Sequence, residues 1–392
     1  MKQIVISNKI FYLGTNDRKK ALFENNWPLP NGVAYNSYLI IDNKTALVDT
    51  LEFGSKDDYL DQISALLSGK NLDYLIVNHM EPDHSSMIGT MLKFYPTLRI
   101  VSNIKAFKML EAYFNIKPEN FIEVKDGDIL DLGYHKLTFH ITPWVHWPET
   151  MMTYDTIDKV LFSCDAFGSF GTLDGGIFDD EINFDRYEDE MRRYYSNIVG
   201  KYSNMVQKAF AKLSGVDIKI ICPSHGPIWR SNPAKAIDLY NQWSRYESEE
   251  GVVITYASMY GNTEKMADYV ARLISENGIK NIRVYDVSKT HVSYILSDIW
   301  RYKSVILGSC AYNAGMHPMM EHLCHELSVI QPKDKNYALF GSYSWNGGGL
   351  KSLIAFAEKM SWNKVSEPVE LMGSPDLAKM EGFQIMADSF KK

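Results

Sequence analysis

No run among the 392 residues approaches the roughly 18–20 consecutive apolar positions that a membrane-spanning helix requires, so no membrane partner is expected. The opening MKQIVISNKIFYLG has neither an apolar core nor a small-residue cleavage site, so no export signal is read there and a cytoplasmic location is expected. Cysteine is scarce. Cys164, Cys222, Cys310 and Cys324 are scattered and form no CxxC pair, which argues against a disulfide framework and against a rubredoxin-type iron site. Neither GxGxxG nor GxxxxGK[ST] occurs, so a dinucleotide or a nucleoside triphosphate is not expected. No basic stripe is present either, and nucleic acid is not an expected partner.

What is there divides in two. Net charge is -7, and residues 251–392 hold 15 basic and 14 acidic side chains, leaving 26 and 34 for the first 250, a balance of -8. Before residue 250, strand-like runs (YNSYLIIDNKTALVDT, LDYLIVNH, RIVSN, KLTFHITP, KVLFSCD, IKIICPSHG) alternate with amphipathic segments, among them SSMIGTMLKFY and a long polar-aromatic helix over 181–213. After it, GVVITYASMYGNTEKMADYVARLI opens a strand–loop–helix series continued by NIRVYDV, SVILGS and YALFGS, the pattern of a doubly wound parallel sheet. Two domains are expected, 1–249 and 250–392.

The densest chemistry lies in NHMEPDHSS, residues 78–86, directly after a buried strand. His79, Glu81, Asp83 and His84 place two carboxylates and two imidazoles within six residues. Leaving a strand, residues 79, 81 and 83 point one way, and His84 turns in from the following loop or helix start. Such a cluster in one buried turn stays unpaired or repels itself unless a cation holds it. Further donors stand at later strand ends: His146 in ITPWVHWPET, Asp165 in LFSCDAF and His225 in ICPSHGP. Seven donors suit two metal ions better than one. A lone buried histidine is more often a hydrogen-bonded core residue, and His135, His140 and His291 are read so. HLCH sets His322 and His325 on one helical face near His317, but no further donors accompany them.

In the second half, Ser258, Met259, Tyr260, Gly261, Asn262 and Thr263 form a hydroxyl-bearing loop at a helix start, where backbone N–H groups cradle a phosphate. A single terminal phosphate, as on FMN, fits that loop. Cys310, Ala311, Tyr312, Asn313 and Ala314 follow the strand SVIL, and Ser342, Tyr343, Trp345, Gly347 and Gly348 follow YALF. Both loops lie at carboxyl ends of parallel strands, where open α/β folds bind ligands. Trp345 is the candidate for stacking on a flavin ring.

The run H-x-E-x-D-H followed by single His, Asp and His at strand ends resembles the metallo-β-lactamase pattern, with Glu81 where zinc hydrolases of that fold carry a second histidine. Joined to the second half, the whole chain resembles the flavodiiron proteins (A-type flavoproteins). The resemblance implies an α/β chain: an N-terminal metallo-β-lactamase-like αββα sandwich and then a flavodoxin-like doubly wound parallel sheet. It implies two non-haem irons, one held by His79, Glu81 and His146, the other by Asp83, His84 and His225, with Asp165 bridging. It implies FMN, and a terminal reductase of O2 to water, of NO to nitrous oxide, or both. It also implies a head-to-tail homodimer or dimer of dimers, and an external donor such as rubredoxin or a reduced deazaflavin is expected, since no rubredoxin or NAD(P)H-reductase module is read within the 392 residues. Tyr194 or Tyr195 is expected to line the substrate pocket. Some relatives carry a histidine in the early loop where Glu24 stands.

The Glu81 replacement has its own chemistry. Carboxylate is a harder donor than imidazole and favours iron over zinc. Glu81, Asp83, Asp165 and a bridging hydroxide cancel the four positive charges of two ferrous ions. A zinc hydrolase with an appended flavodoxin domain is the alternative, but it lacks the second histidine and leaves a flavin without a role.

Overall fold

The computed structural model describes residues 3–391 apart from 53, 55, 118 and 120. Its contacts divide the chain into two units, Met1–Asn241 and Gln242–Lys392. The boundary expected near 249 lies a few residues later, where Glu249 opens the strand Glu249–Ala257; the helix Pro233–Ser244 contains the division itself.

The first unit is built on two sheets. One has seven strands in the spatial order Val5–Ser7, Ile10–Asp17, Val33–Ile41, Thr45–Val48, Tyr74–Ile76, Arg99–Ser102 and Phe121–Glu123. The other has five, in the order Ile129–Asp131, Lys136–Ile141, Met151–Asp155, Val160–Cys164 and Ile220–Pro223. One core joins their inner faces. Ile10, Ala34, Tyr38, Ile40 and Val48 from the first sheet meet Leu137, Phe139, Met151, Val160 and Phe162 from the second, all buried. Each large apolar side chain withdrawn from water there contributes roughly 1.5–3 kcal/mol. His79, His146, Asp165 and His225 follow the strands Tyr74–Ile76, Lys136–Ile141, Val160–Cys164 and Ile220–Pro223.

Two helical expectations change in detail. SSMIGTMLKFY is not one helix. Pro82 occupies the first turn of a short helix, Pro82–Ser85, with Glu81 at its N-cap, and a second helix follows over Ile88–Phe94. Proline pre-sets helical φ but has no N–H to give, so it starts a helix here and brings Asp83 and His84 into that turn. The strand Tyr74–Ile76 has already ended, so the period-two alternation expected across 79, 81 and 83 does not operate; loop and helix geometry aim those side chains instead. The long helix over 181–213 is an α-helix at Asp185–Tyr194, a π-helical turn at Tyr195–Val199, a 3-10 turn at Gly200–Tyr202 and an α-helix at Ser203–Leu213. An inserted π turn shifts which residues face inward, and such turns gather at functional sites.

The second unit is a parallel sheet ordered Ile282–Asp286, Glu249–Ala257, Tyr302–Tyr312, Asn336–Tyr343 and Asn363–Lys364, with Val369–Met372 also paired to Asn336–Tyr343. Helices Asn262–Glu276, Val292–Arg301, Pro318–Ile330 and Gly349–Ala357 connect the strands. Val252, Ile254, Ile306, Ala338 and Phe340 from the sheet pack with Met266, Val270, Ile274, Phe383 and Met386. This is the doubly wound arrangement read from the sequence.

Candidate metal centre and flavin site

His79, Glu81, His146 and Asp165 bring one ligand atom each to within 4.8 Å of one another, and Asp83, His84 and His225 form a second such group. All seven side chains are buried. Asp165 joins the groups. Its Oδ2 lies 3.3 Å from His79 Nε2 and 3.2 Å from His146 Nε2, while Oδ1 lies 3.0 Å from His84 Nε2 and 3.4 Å from His225 Nε2. Within the groups, Glu81 Oε2 is 3.1 Å from His146 Nε2 and 3.4 Å from His79 Nε2, and Asp83 Oδ2 is 3.3 Å from His225 Nε2.

These separations fit cations. Two donors each about 2.1 Å from one ion and at right angles to it are about 3.0 Å apart. His79 Nε2, both oxygens of Asp83, Asp165 Oδ2 and His225 Nε2 are buried without a hydrogen-bond partner. Buried polar atoms are rarely left so, and five together at one centre mark the place of a ligand. Protonation tells the same story. Burial pulls each imidazole down, but the facing carboxylates prevail and raise His146 to about 9 and His225 to about 10, with His79 and His84 raised as well. Burial pushes Glu81 and Asp165 up, yet the imidazoles hold both below the usual carboxylate range. Without a metal, protons supply the positive charge that the carboxylates demand, and metal binding releases them.

The surrounding backbone explains how the donors are held. Asp49, at φ 53° after its strand, accepts both the backbone N–H and the Nδ2 of Asn78 at 2.7 and 3.0 Å. Thr50 donates N–H and Oγ–H to the carbonyl of His84, and Ser85 Oγ reaches the carbonyls of Met80 and Glu81. The His225 loop is pinned to the other sheet by Asn36 Nδ2, which donates to Pro223 and Gly226, and by Tyr38, which donates to Pro223. Gly226 sits at φ 71°, and a Cβ there would lie 2.2 Å from Ser169 Oγ, so this turn admits only glycine. Cys164, at φ 54°, turns the chain so that Asp165 enters the cluster.

Tyr194 and Tyr195 part company. The Tyr194 ring lies 5.5 Å from His225 and packs on Phe23 and Phe170; its hydroxyl is buried without a partner. Burial and the carboxylates of Asp165, Glu81 and Asp83 push that hydroxyl far above the ordinary tyrosine range. Tyr195 instead has its hydroxyl bonded to Ser203 Oγ at 2.9 Å and its ring packed on Tyr240. The early loop forms a small hairpin, Leu22–Phe23 with Trp27–Pro28. Glu24 at its tip is exposed as a residue, but its carboxyl accepts Trp27 Nε1–H at 3.0 Å, and lost solvation with the neighbouring Glu81 charge pushes it up to about 7. Sequence reasoning missed Glu149, bonded to His79 Nδ1 at 2.7 Å, and Tyr35, whose ring is 5.5 Å from His225. Glu149 left one signal, an acid beside the buried run MMTYD; Tyr35 left none, since tyrosine is ordinary in a strand.

The other histidines have local duties. Both His135 nitrogens are bonded, to Asp155 and to the carbonyl of Asn8. His291 and His317 cap helices through their side chains.

In the second unit, Ser258, Met259, Tyr260, Asn262, Thr263, Cys310, Ala311, Tyr312, Asn313, Ser342, Tyr343 and Trp345 line one cavity of about 260 Å3. Gly261, at φ 87°, caps the 15-residue helix Asn262–Glu276 without a side-chain bond, so its first-turn N–H groups face the loop. Ala314 and Gly348 lie behind the lining: a Cβ on Gly348 would fall 2.2 Å from the Ala314 carbonyl oxygen, so the two loops touch there. Gly347 lies against Glu370. Thr263 Oγ1 and Ser342 Oγ, 2.8 Å apart, tie the phosphate loop to the third loop. Trp345 and Tyr260 stand 89% and 88% exposed at the rim, free to close on a planar ring.

Fold and donors together define a metallo-β-lactamase-like metal-binding domain followed by a flavodoxin-like domain. Residues 33–226 match the family described as ODP family beta lactamase, and residues 254–374 match flavodoxin. An anaerobic nitric oxide reductase flavorubredoxin of Escherichia coli O1:K1 is 31% identical, over 94% of this chain and 80% of that one. The rubredoxin oxygen:oxidoreductase of Desulfovibrio gigas superimposes with a TM-score of 0.95 at 30% identity, over 100% of this chain and 98% of that one. A flavoprotein of Thermotoga maritima superimposes with a TM-score of 0.90 at 28% identity, over 99% and 98%. The chain belongs to the flavodiiron proteins, a family of oxidoreductases.

Proposed function

We propose that the chain is a cytoplasmic terminal reductase of O2, NO or both, taking electrons from rubredoxin or a reduced deazaflavin through FMN to a di-iron centre. The carrying observation is the set of buried, partnerless donors of His79, Asp83, Asp165 and His225 within one cluster, in a chain that also holds a cavity lined by the three loops of its flavodoxin-like sheet. Two irons and FMN, when bound, supply the redox chemistry: the flavin accepts electrons singly or in pairs and the metals activate a small gas. His79, Glu81 and His146 would hold one iron, Asp83, His84 and His225 the other, and Asp165 both. Phe23, Phe170 and Tyr194 shield the pocket from bulk water, and the Tyr194 hydroxyl stands where it can donate to a bound substrate. The loops beginning at Ser258, Cys310 and Ser342 would seat FMN, with Trp345 against the ring.

The partner arrangement is a homodimer, head to tail, or a dimer of dimers, in which one chain's flavin serves the other's metals; an isologous pair then has two such sites. Steady-state consumption of O2 and of NO with reduced rubredoxin tests the activity, and protein loaded with iron and FMN that consumes neither would overturn it. The dimer is tested by mixing His79→Ala/Asp165→Ala chains with chains changed at Asn262 and Thr263. Activity should return in heterodimers, and its absence despite demonstrated subunit exchange would exclude the cross-chain route.

A further inference from the structure

The two metal positions are anchored differently from behind. Glu149 Oε1 lies 2.7 Å from His79 Nδ1 and accepts the Met80 backbone N–H at 3.0 Å. An oxygen already receiving an N–H is an acceptor toward the ring too, so His79 keeps a proton on Nδ1 and turns Nε2 toward Glu81 and Asp165, where a cation would take the place of the Nε2 proton. Glu149 is 0% exposed, and its Oε2 has no hydrogen-bond partner. Its charge is therefore held away from bulk water, and it acts through His79 at low dielectric. His225 is oriented in the same way, Nδ1 toward the Ala34 carbonyl at 2.9 Å, but by a neutral group.

Carboxylates counted around each group sharpen the contrast. The His79 group has Glu81, one oxygen of Asp165, and Glu149 behind the ring. The His225 group has Asp83 and the other oxygen of Asp165; the buried Asp49 also faces His84, but its carboxylate is bonded to Asn78 and to no ligating ring. We infer that the two positions are unequal, that the His79 position fills first and more tightly, and that the buried Glu149 carboxylate is the positioning residue that sets this order. The inference rests on the two-metal reading above. Outer carboxylates on ligating imidazoles fix the tautomer and raise donor strength, and losing one typically costs about 10–100-fold in metal affinity.

Glu149→Gln separates charge from shape. The amide oxygen still accepts from Met80 and His79, and Asn103 Nδ2 still holds the Glu149 carbonyl at 2.6 Å, because that bond is to the backbone. Metal-free wild-type protein titrated calorimetrically with Zn2+ should bind two ions per chain in two resolved steps. In Glu149→Gln the tight step should weaken about 10–100-fold and the weaker step should stay within about twofold, so that the two merge. His225→Ala should lose the weaker step and keep the tight one. Circular dichroism and the melting temperature of each metal-free variant check the fold, and Glu149→Asp, which keeps the charge, should restore part of the gap. If Glu149→Gln weakens both steps alike or leaves two resolved steps, or if His225→Ala abolishes the tight step, the inference is overturned while the two-metal reading stands. A folded wild-type chain that binds no pair of ions overturns both.

Discussion

The metal cluster and the flavin cavity are both assembled from loops at strand ends, yet they are finished to different degrees. At the metal cluster seven donors are buried and already stand at coordination spacing, with the His79 ring bonded to Glu149, the His225 ring to the Ala34 carbonyl and the His84 backbone to Thr50. At the flavin cavity the lining is set, but Trp345 and Tyr260 stand out in solvent. The physical reason is what each ligand demands. A small cation rewards rigid donors, because any rearrangement on binding subtracts from affinity. A planar ring gains from aromatic faces that close over it, and exposed side chains lose little by waiting in water.

The contrast is open to attack, beginning at its strongest point. Asp165→Asn replaces the charge shared by both groups; metal per chain, measured by elemental analysis, should fall from about two to near zero while flavin stays bound. Retention of both metals would mean that Asp165 does not join the groups. Next, Glu81→His should swing loading from iron to zinc and abolish gas reduction, since imidazole is the softer donor. Zinc-only wild-type protein with full activity would remove the reason for Glu81. At the other site, Trp345→Ala should weaken FMN by about 1–3 kcal/mol, read from flavin fluorescence on titration; FAD released on denaturation would end the single-phosphate argument. Tyr194→Phe should leave metal and flavin contents unchanged and slow turnover about tenfold or more, whereas Tyr195→Phe should do neither.

The smallest effect concerns His135, remote from either ligand. Burial lowers it, but the Asp155 carboxylate overcomes burial and raises it, with Asp158 adding to the field and Asp42 bonded to its backbone N–H. A histidine raised in the folded state contributes stability that is full below its unfolded pKa of about 6.5 and is lost as pH climbs through the folded value. Metal-loaded wild type should therefore melt lower as pH rises from 6 toward 9, relative to His135→Gln, by about 1–2 kcal/mol. Parallel pH profiles would show that the pair contributes nothing.

Much of this was legible beforehand, for identifiable reasons. The metal donors could be read because carboxylates and imidazoles crowded after a buried strand are costly without a cation. The parallel sheet of the second unit could be read because its strands are continuous apolar runs separated by helical periods. Tyr194 could not be told from Tyr195 by spacing, because the π turn that begins at Tyr195 alters the helix phase on which such a choice depends. Alternation was the wrong reason for the aim of Asp83, since Pro82 had already begun a helix.

By itself, then, the sequence determined which chemical groups are present, the order of strands and helices, and the likeness to a family, because composition and periodicity are local properties. Tertiary structure alone decided that Asp165 turns one oxygen toward each group, that Glu149 stands behind His79 while a plain carbonyl stands behind His225, and that the Tyr194 ring packs beside His225. Those relations join residues up to 191 positions apart. Only the packing of two sheets brings such distant residues within a few ångströms, and no local pattern carries that information.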